Sequence, residues 1–506
     1  MIILRPKSYE MKKKWFRETK PKVIFRHGHI AITDYHPKEH KHFEYELSIW
    51  DPISFKSTMI GGYYIPELLE FRINRGCNVQ FLKKHFPNHE FCVDNQSFPY
   101  DKIDVKLLAA PRDDFQKTAL TFMACEGHYK QYANYTQQLI DADVGDGKTY
   151  CGTAASAIWT AKSVVFVPIG RLLGQWRDSF LAFTNLEEED VMIVKGSSKC
   201  EEIRLGQHLD KKVFIFSIDT FDSYLKQVGP LRTEEMLSMT HAYHKIVDEV
   251  HRDMGILRKL EALSNFRMNY YMSASPGRSD SKEDKIFLKL FTNTPRFGSN
   301  FKNESEKHIN FVVKKYEFIP TMYQEREMYR PKIGLNTKQY ERVLLEATKE
   351  QRESFDQSIL TMLNWSKKMI KPKNKILILT NTIAGTEYVK QLAEQVFPGE
   401  CASYYSSMKP KEKEAALKKR IISATEGSLG TGADIKGIQH VYNILTYSNK
   451  IGAKQYPGRG RKIDDKTPIV YVEFVNMEYR RTYLQFQKRR PYLRKYAKGN
   501  KIIIIS

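Results

Sequence analysis

The sequence is informative first in what it lacks. Its six cysteines, Cys77, Cys92, Cys125, Cys151, Cys200 and Cys401, are scattered, with no Cys-x-x-Cys pair. That spacing argues against a zinc site and a disulfide framework, and for a reducing compartment. No apolar run approaches the roughly 20 residues a membrane-spanning helix needs, which argues against a transmembrane chain. The opening Met1-Ile2-Ile3-Leu4-Arg5-Pro6-Lys7 is too short an apolar stretch for a secretory signal, so a cytoplasmic location is expected. No internal repeat is visible. Acidic residues are in deficit, 59 Asp and Glu against 81 Lys and Arg, for a formal net charge of +22. Such a surplus points to a polyanionic partner: nucleic acid, with a membrane surface as the competing polyanion.

What is present is a long globular chain. At roughly 100–200 residues per domain, 506 residues with 41 % hydrophobic content suggest three or four domains with ample core. The central stretch is Asp141-Ala142-Asp143-Val144-Gly145-Asp146-Gly147-Lys148-Thr149, followed by a small-residue helix through Cys151, Ala154 and Ala155. It has the form of a strand–loop–helix phosphate cradle with Ala142 in place of the first glycine. Gly145 and Gly147, flanking Asp146, let successive backbone N–H groups face phosphate oxygens. Lys148 places a positive charge on the β/γ-phosphates of ATP, and the Thr149 hydroxyl can ligate Mg²⁺. The helix N-terminus adds its own positive field. The plainer alternative, a glycine-containing turn that happens to precede Lys-Thr, loses weight as partner motifs accumulate.

Upstream, Gln116 follows Pro111-Arg112-Asp113-Asp114-Phe115, and its amide can read an adenine edge or simply start a helix. Lys162–Pro168 reads as a buried parallel strand running into a helix opened by Gly170–Trp176. Arg171 and Gln175 are placed to touch a nucleic-acid backbone, whereas Leu172, Leu173 and Trp176 read as core packing. Lys212–Thr220 repeats the pattern, with Ser217 and Thr220 at the end where α/β sheets present ligand-binding loops. Lys245-Ile246-Val247-Asp248-Glu249-Val250-His251 is an apolar strand ending in two carboxylates. Asp248 is placed to hold Mg²⁺ through water, and Glu249 to orient and deprotonate the attacking water. Met268–Pro276 closes in the hydroxyls of Ser273 and Ser275, which with His251 are placed to couple the phosphate state to the nucleic-acid side.

In this order the motifs resemble those of superfamily-2 helicases with a DExH-type box. The likeness rests on Gln116, the Asp141–Thr149 loop, Val167–Trp176, Asp248-Glu249-Val250-His251 and Ser273-Ala274-Ser275-Pro276, and spans roughly 109–475. Downstream, Thr425 to Ile435 looks like helicase motif V; the resemblance implies that Thr425 touches nucleic-acid backbone while Gly432 and Asp434 face the nucleotide. Gln455-Tyr456-Pro457-Gly458-Arg459-Gly460-Arg461-Lys462 looks like motif VI. It implies arginines that stabilise charge on the transferring phosphate, Arg459 first and either Arg461 or Lys462 second, with Gln455 beside the nucleotide. Within the superfamily the pattern is similar to the UvsW-type phage recombination helicases, supported by Trp50-Asp51 and a Pro-initiated segment in Tyr45–Phe86. That likeness implies ATP-dependent remodelling of forks and Holliday junctions, in a bacterial host cytoplasm.

The expected fold is α/β: two tandem RecA-like lobes, parallel sheets flanked by helices, with a small α+β accessory domain. The expected domains are 1–108, accessory; 109–308, first lobe; 309–476, second lobe; and 477–506, a basic aromatic segment. In the first, Val23–Phe25, Ile30–Thr33 and Tyr45–Trp50 read as strands and Pro66–Phe71 as a helix start. The unit reads as a nucleic-acid grip or as a structural cap. Glu341–Trp365 reads as one helix; in the last segment Tyr483 and Phe486 read as packing against the motor. ATP and Mg²⁺ are the expected cofactors, and branched or single-stranded DNA the expected partner of a monomeric motor. An RNA helicase, a duplex translocase without strand separation, and a nucleic-acid scaffold with a dead ATP site are the rivals.

Overall fold

A computed structural model describes residues 20–51, 56–142, 146–170, 172–250, 253–273, 281–298, 308–330, 334–429, 435–444, 456–460, 463–464 and 467–505. They fall into two compact units, one up to residue 298 and one from 308 onward.

The first unit opens with strands β1 (Lys22–Phe25), β2 (His29–Ile32), β3 (Ser48–Asp51), β4 (Lys56–Met59), β5 (Gly62–Ile65), β6 (Glu70–Asn74) and β7 (Glu90–Val93). Five of them form a sheet in the order β5-β6-β2-β1-β7, while β3 and β4 pair as a hairpin. Two local expectations fail here. Lys41–Glu46 is helical, so a strand begins only at Ser48; Phe43 turns inward against Tyr35, Phe71 and Phe86 and curls the chain around that aromatic cluster. Pro66 starts only a single 3-10 turn, because Leu69 takes a left-handed φ of +51° and the chain enters β6, buried at every residue.

A parallel seven-stranded sheet follows: β8 (Gln137–Asp141), β9 (Ser163–Val167), β10 (Val191–Val194), β11 (Val213–Ser217), β12 (His244–Asp248), β13 (Met268–Ser273) and β14 (Arg296–Phe297). Its order is β10-β11-β9-β12-β13-β8-β14. The inner strands β9, β11, β12 and β13 are buried along their whole length, as strands covered on both faces must be. The N-terminal sheet shares this lobe's hydrophobic core: Val23, Phe71 and Ile73 belong to one cluster with Val164, Phe166 and Tyr271. A buried polar seam reinforces it. Arg72 donates to Glu70, Glu234 and the Ala262 carbonyl; Asn74 donates to Glu261, which also receives Lys245 Nζ at 2.6 Å and the Tyr271 hydroxyl.

The second unit contains β15 (Ile309–Tyr316), a two-residue hairpin of β16 (Tyr329–Arg330) and β17 (Gly334–Leu335), β18 (Lys375–Thr380), β19 (Cys401–Tyr404), β20 (Ile421–Thr425), β21 (Ile438–Asn443), β22 (Ile469–Asn476) and β23 (Ala497–Ile505). Its parallel sheet runs β19-β20-β18-β21-β22-β15-β23. Numbered within each sheet, both lobes have the strand order 3-4-2-5-6-1-7. Glu341–Trp365 is two helices, Thr337–Glu346 and Lys349–Met369, because Thr348 leaves the helical path to cap the second in a capping box with Gln351. The helix Arg480–Tyr496 leads into β23, the seventh strand. Phe486 packs inside, as expected, but Tyr483 is 37 % exposed, its hydroxyl accepting from Gln487 on the outer face. Among the described residues no helix is long and apolar enough to cross a membrane.

Candidate nucleotide-binding and hydrolysis site

The parallel register of the first lobe brings the C-terminal ends of β8, β12 and β13 to one edge of the sheet. The helix Lys148–Trp159 starts there, with Gly147 at its N-cap in a left-handed conformation, φ +86°. The backbone angle calls for glycine, and a Cβ would also stand 2.0 Å from Gln116 Nε2 and displace that amide. Gln116 is 3 % exposed; its Nε2 donates to the Asp146 carbonyl at 3.3 Å and its Oε1 accepts the Arg112 N–H at 2.7 Å. The amide therefore braces the cradle backbone.

Lys148 Nζ lies 3.2 Å from Glu249 Oε1 and donates to the Ala142 carbonyl at 3.4 Å. Glu249 takes a left-handed φ of +50°, an unfavourable angle for a side chain with a Cβ, of the kind that clusters at functional sites. Asp248, the last residue of β12, is almost fully buried and accepts the Trp176 indole N–H on Oδ2 at 3.1 Å. Burial, and secondly the charge of Glu249, push its carboxyl up to about 6, against the opposing pull of Lys148 and the indole. So two carboxylates, one lysine and a neutral indole meet in one group whose ionised form carries a surplus negative charge.

This donor set fits magnesium. Asp248 has a second oxygen besides the one that accepts from Trp176, and Thr149 adds a hydroxyl in the first helical turn. Among the described residues no group of three His, Cys, Asp or Glu could hold a metal by itself. An ion held by one or two protein oxygens, water and substrate phosphates matches that arrangement.

Other expected residues are more dispersed. Ser273 ends β13, buried, with its carbonyl accepting the Ala142 N–H at 3.0 Å, which ties that strand to the cradle. Ser217 caps the helix Ile218–Val228 and accepts from Thr220 N, with the two hydroxyls 2.9 Å apart. Gln175 is exposed on the helix Leu172–Phe183. In the second unit Thr425 ends β20 and donates to Ser428 Oγ at 2.9 Å, and Arg459 lies in the turn Pro457–Arg459. Gly145, Arg171, His251, Ser275, Gly432, Asp434, Gln455 and Arg461 lie outside the described residues.

Trp176, which the sequence assigns to core packing alone, reaches this site. It is both buried and bonded to Asp248. Gly152, on the small-residue helix, makes room: a Cβ there would stand 2.5 Å from the indole ring. The available signal was a glycine within that helix and a single tryptophan on the next.

Residues 111–278 match the family model described as "Type III restriction enzyme, res subunit". No curated protein matches the sequence. The fold is similar to S. cerevisiae Dbp5 bound to RNA and ADP BeF3, with TM-score 0.51 and 10 % identity over 78 % of this chain and 89 % of that one. It is similarly close to a variant of Dbp5 in the same bound state, with TM-score 0.50 and 11 % identity over 77 % and 89 %. The lobe match indicates an ATP-hydrolysing helicase-type lobe, and the structural likeness shows the two-lobed fold.

Proposed function

We propose that the chain is an ATP-dependent DNA helicase or translocase that unwinds or branch-migrates forked and Holliday-junction DNA, in phage replication, recombination or repair within a bacterial cytoplasm. The observation that carries the motor reading is the Lys148–Glu249 pair beside the Trp176–Asp248 pair, all at one edge of a parallel sheet. In this reading Lys148 binds the terminal phosphates and Asp248 with Thr149 holds Mg²⁺, which neutralises phosphate charge. Glu249, already within ion-pair reach of Lys148, orients the attacking water and takes its proton. Arg459 is assigned to the same reaction by its sequence pattern. Separating base pairs costs about 1–2 kcal/mol per step, within the reach of tightly coupled ATP hydrolysis.

The DNA assignment is supported by the motif likeness to phage recombination helicases and by the restriction-enzyme family match. RNA is the second reading, favoured by the RNA in the Dbp5 structures. ATP turnover and strand separation on single-stranded DNA, blunt duplex, a three-way fork, a four-way junction and matched RNA decide between them. Turnover with unwinding that peaks on forks and junctions is the expected result. A peak on RNA, or turnover on blunt duplex without unwinding, overturns the branched-DNA role and leaves the motor intact.

A further inference from the structure

A cavity of about 550 Å³ lies between the N-terminal sheet and the first lobe. Its lobe residues, Thr136, Tyr243 and Met268 among them, stand at the N-terminal ends of β8, β12 and β13. It therefore opens at the opposite edge of the parallel sheet from the cradle, one strand length away, roughly 17 Å at 3.3 Å per residue.

The lining is cationic. Arg26, Arg75 and Arg267 face it, with Asp94 as the opposing carboxylate. Asp94 pairs with Arg26, which also reaches Glu70, each at 3.5 Å. Among the described residues no carboxylate pairs with Arg75 or Arg267. Arg75 leans on the Phe25 ring, its guanidinium carbon 4.9 Å from the centroid, and its buried Nε has no hydrogen-bond partner. Arg267 donates to His27 Nε2 at 3.0 Å, while His27 Nδ1 donates to the Gln96 carbonyl at 3.2 Å. Burial lowers the His27 pKa, so the ring is a neutral acceptor that leaves the Arg267 charge unbalanced. Guanidinium groups held away from carboxylates in a partly enclosed space suit a phosphate, which they bind through directed, charge-assisted hydrogen bonds.

The rest of the wall suits a base. Trp159 and Tyr243 pack with ring centroids 5.3 Å apart and planes 31° apart, and Tyr135 is 43 % exposed at the rim. Aromatic faces beside a cationic groove are how strands are held without sequence preference.

We propose that this cavity is a second nucleotide site, binding one phosphate-bearing nucleotide unit through Arg75 and Arg267 with its base against the aromatic wall. The unit is either part of a nucleic-acid strand or a free mononucleotide. The proposal stands apart from the motor reading, because none of these residues belongs to the cradle.

The test titrates the full-length protein with a fluorescein-labelled thymidine dodecamer, with dTMP as competitor and inorganic phosphate as the base-free control. Arg75→Gln/Arg267→Gln should weaken nucleotide binding by about tenfold or more, the scale of losing a charge-assisted contact. ATP turnover without nucleic acid should stay within about twofold of wild type, since the cradle is untouched. Val93→Glu adds a carboxylate at a rim position that is 66 % exposed and should weaken binding in the same direction; it decides the matter if the arginine variant fails to fold. Loss confined to the dodecamer identifies a strand; loss confined to dTMP identifies a free nucleotide. Wild-type binding of both probes by the variants overturns the proposal, as does phosphate competing as well as dTMP.

Discussion

The two lobes are built on one plan and carry different chemistry. Both sheets are parallel, seven-stranded and ordered 3-4-2-5-6-1-7. In the first, two strands end in aspartate: Asp141, which leads into the cradle segment, and Asp248, which meets Trp176. In the second, the seven strands end in Tyr316, Thr380, Tyr404, Thr425, Asn443, Asn476 and Ile505, with no carboxylate among them. The fifth strand shows the contrast most directly, ending in Asp248 in one lobe and neutral Asn443 in the other. Shared topology thus accounts for the architecture, and the lobes part ways in a few strand-end residues, to which the proposed reaction is assigned. Each lobe also hides an ion pair, Lys245–Glu261 in the first and Arg489–Glu473 in the second, both at 2.6 Å.

The contrast can be broken most severely at Lys148. Lys148→Ala should lower ATP turnover on the order of 10²–10³-fold while leaving nucleic-acid binding largely intact, measured by phosphate release and by filter binding. Unchanged turnover would remove the first lobe's special status. Next come the buried ion pairs, where the lobes should behave alike. Lys245→Met and Arg489→Met each strand a buried carboxylate and should each destabilise by about 3–5 kcal/mol in chemical denaturation. A loss in only one lobe would show that the two pairs are not equivalent supports. Smaller still, Trp176→Phe keeps the ring and loses the N–H to Asp248. A hydrogen bond to a charged group is worth about 1.5–3 kcal/mol, so turnover should fall about 10- to 100-fold. The indole favours the ionised carboxylate, so removing it raises the Asp248 pKa further above about 6, and the acid limb of kcat/KM should move to higher pH. A limb that moves to lower pH would contradict the Trp176 assignment. Smallest, Thr425→Ala in the second lobe should reduce nucleic-acid stimulation by roughly the worth of one neutral hydrogen bond, a few-fold, with basal turnover unchanged.

The motor was legible where chemistry and strand pattern coincide. Lys245–Asp248 and Lys375–Thr380 are apolar runs too short for helices, and they form most of β12 and all of β18. The cradle was expected because glycine and lysine have few other reasons to stand at that spacing. Failures came where tertiary packing overrode local pattern. Nothing in Lys41–Glu46 announces that Phe43 will be drawn into an aromatic cluster, and nothing after Pro66 announces that Leu69 will turn left-handed. The Trp176–Asp248 bond joins residues 72 apart in sequence and needs Gly152 on a third element, so no local window contains it. The N-terminal unit offered two readings, grip or cap; its core and its buried Arg72 seam are shared with the first lobe.

The most direct test of the central claim is ATP turnover of Glu249→Gln beside wild type, with and without nucleic acid, alongside ATP binding. The substitution keeps the shape of the side chain and removes the base that pairs with Lys148. The account predicts retained ATP binding and turnover reduced by about 10²–10⁴-fold, the usual worth of a general base. Turnover at the wild-type rate would contradict it and leave the Lys148–Glu249 pair a structural contact.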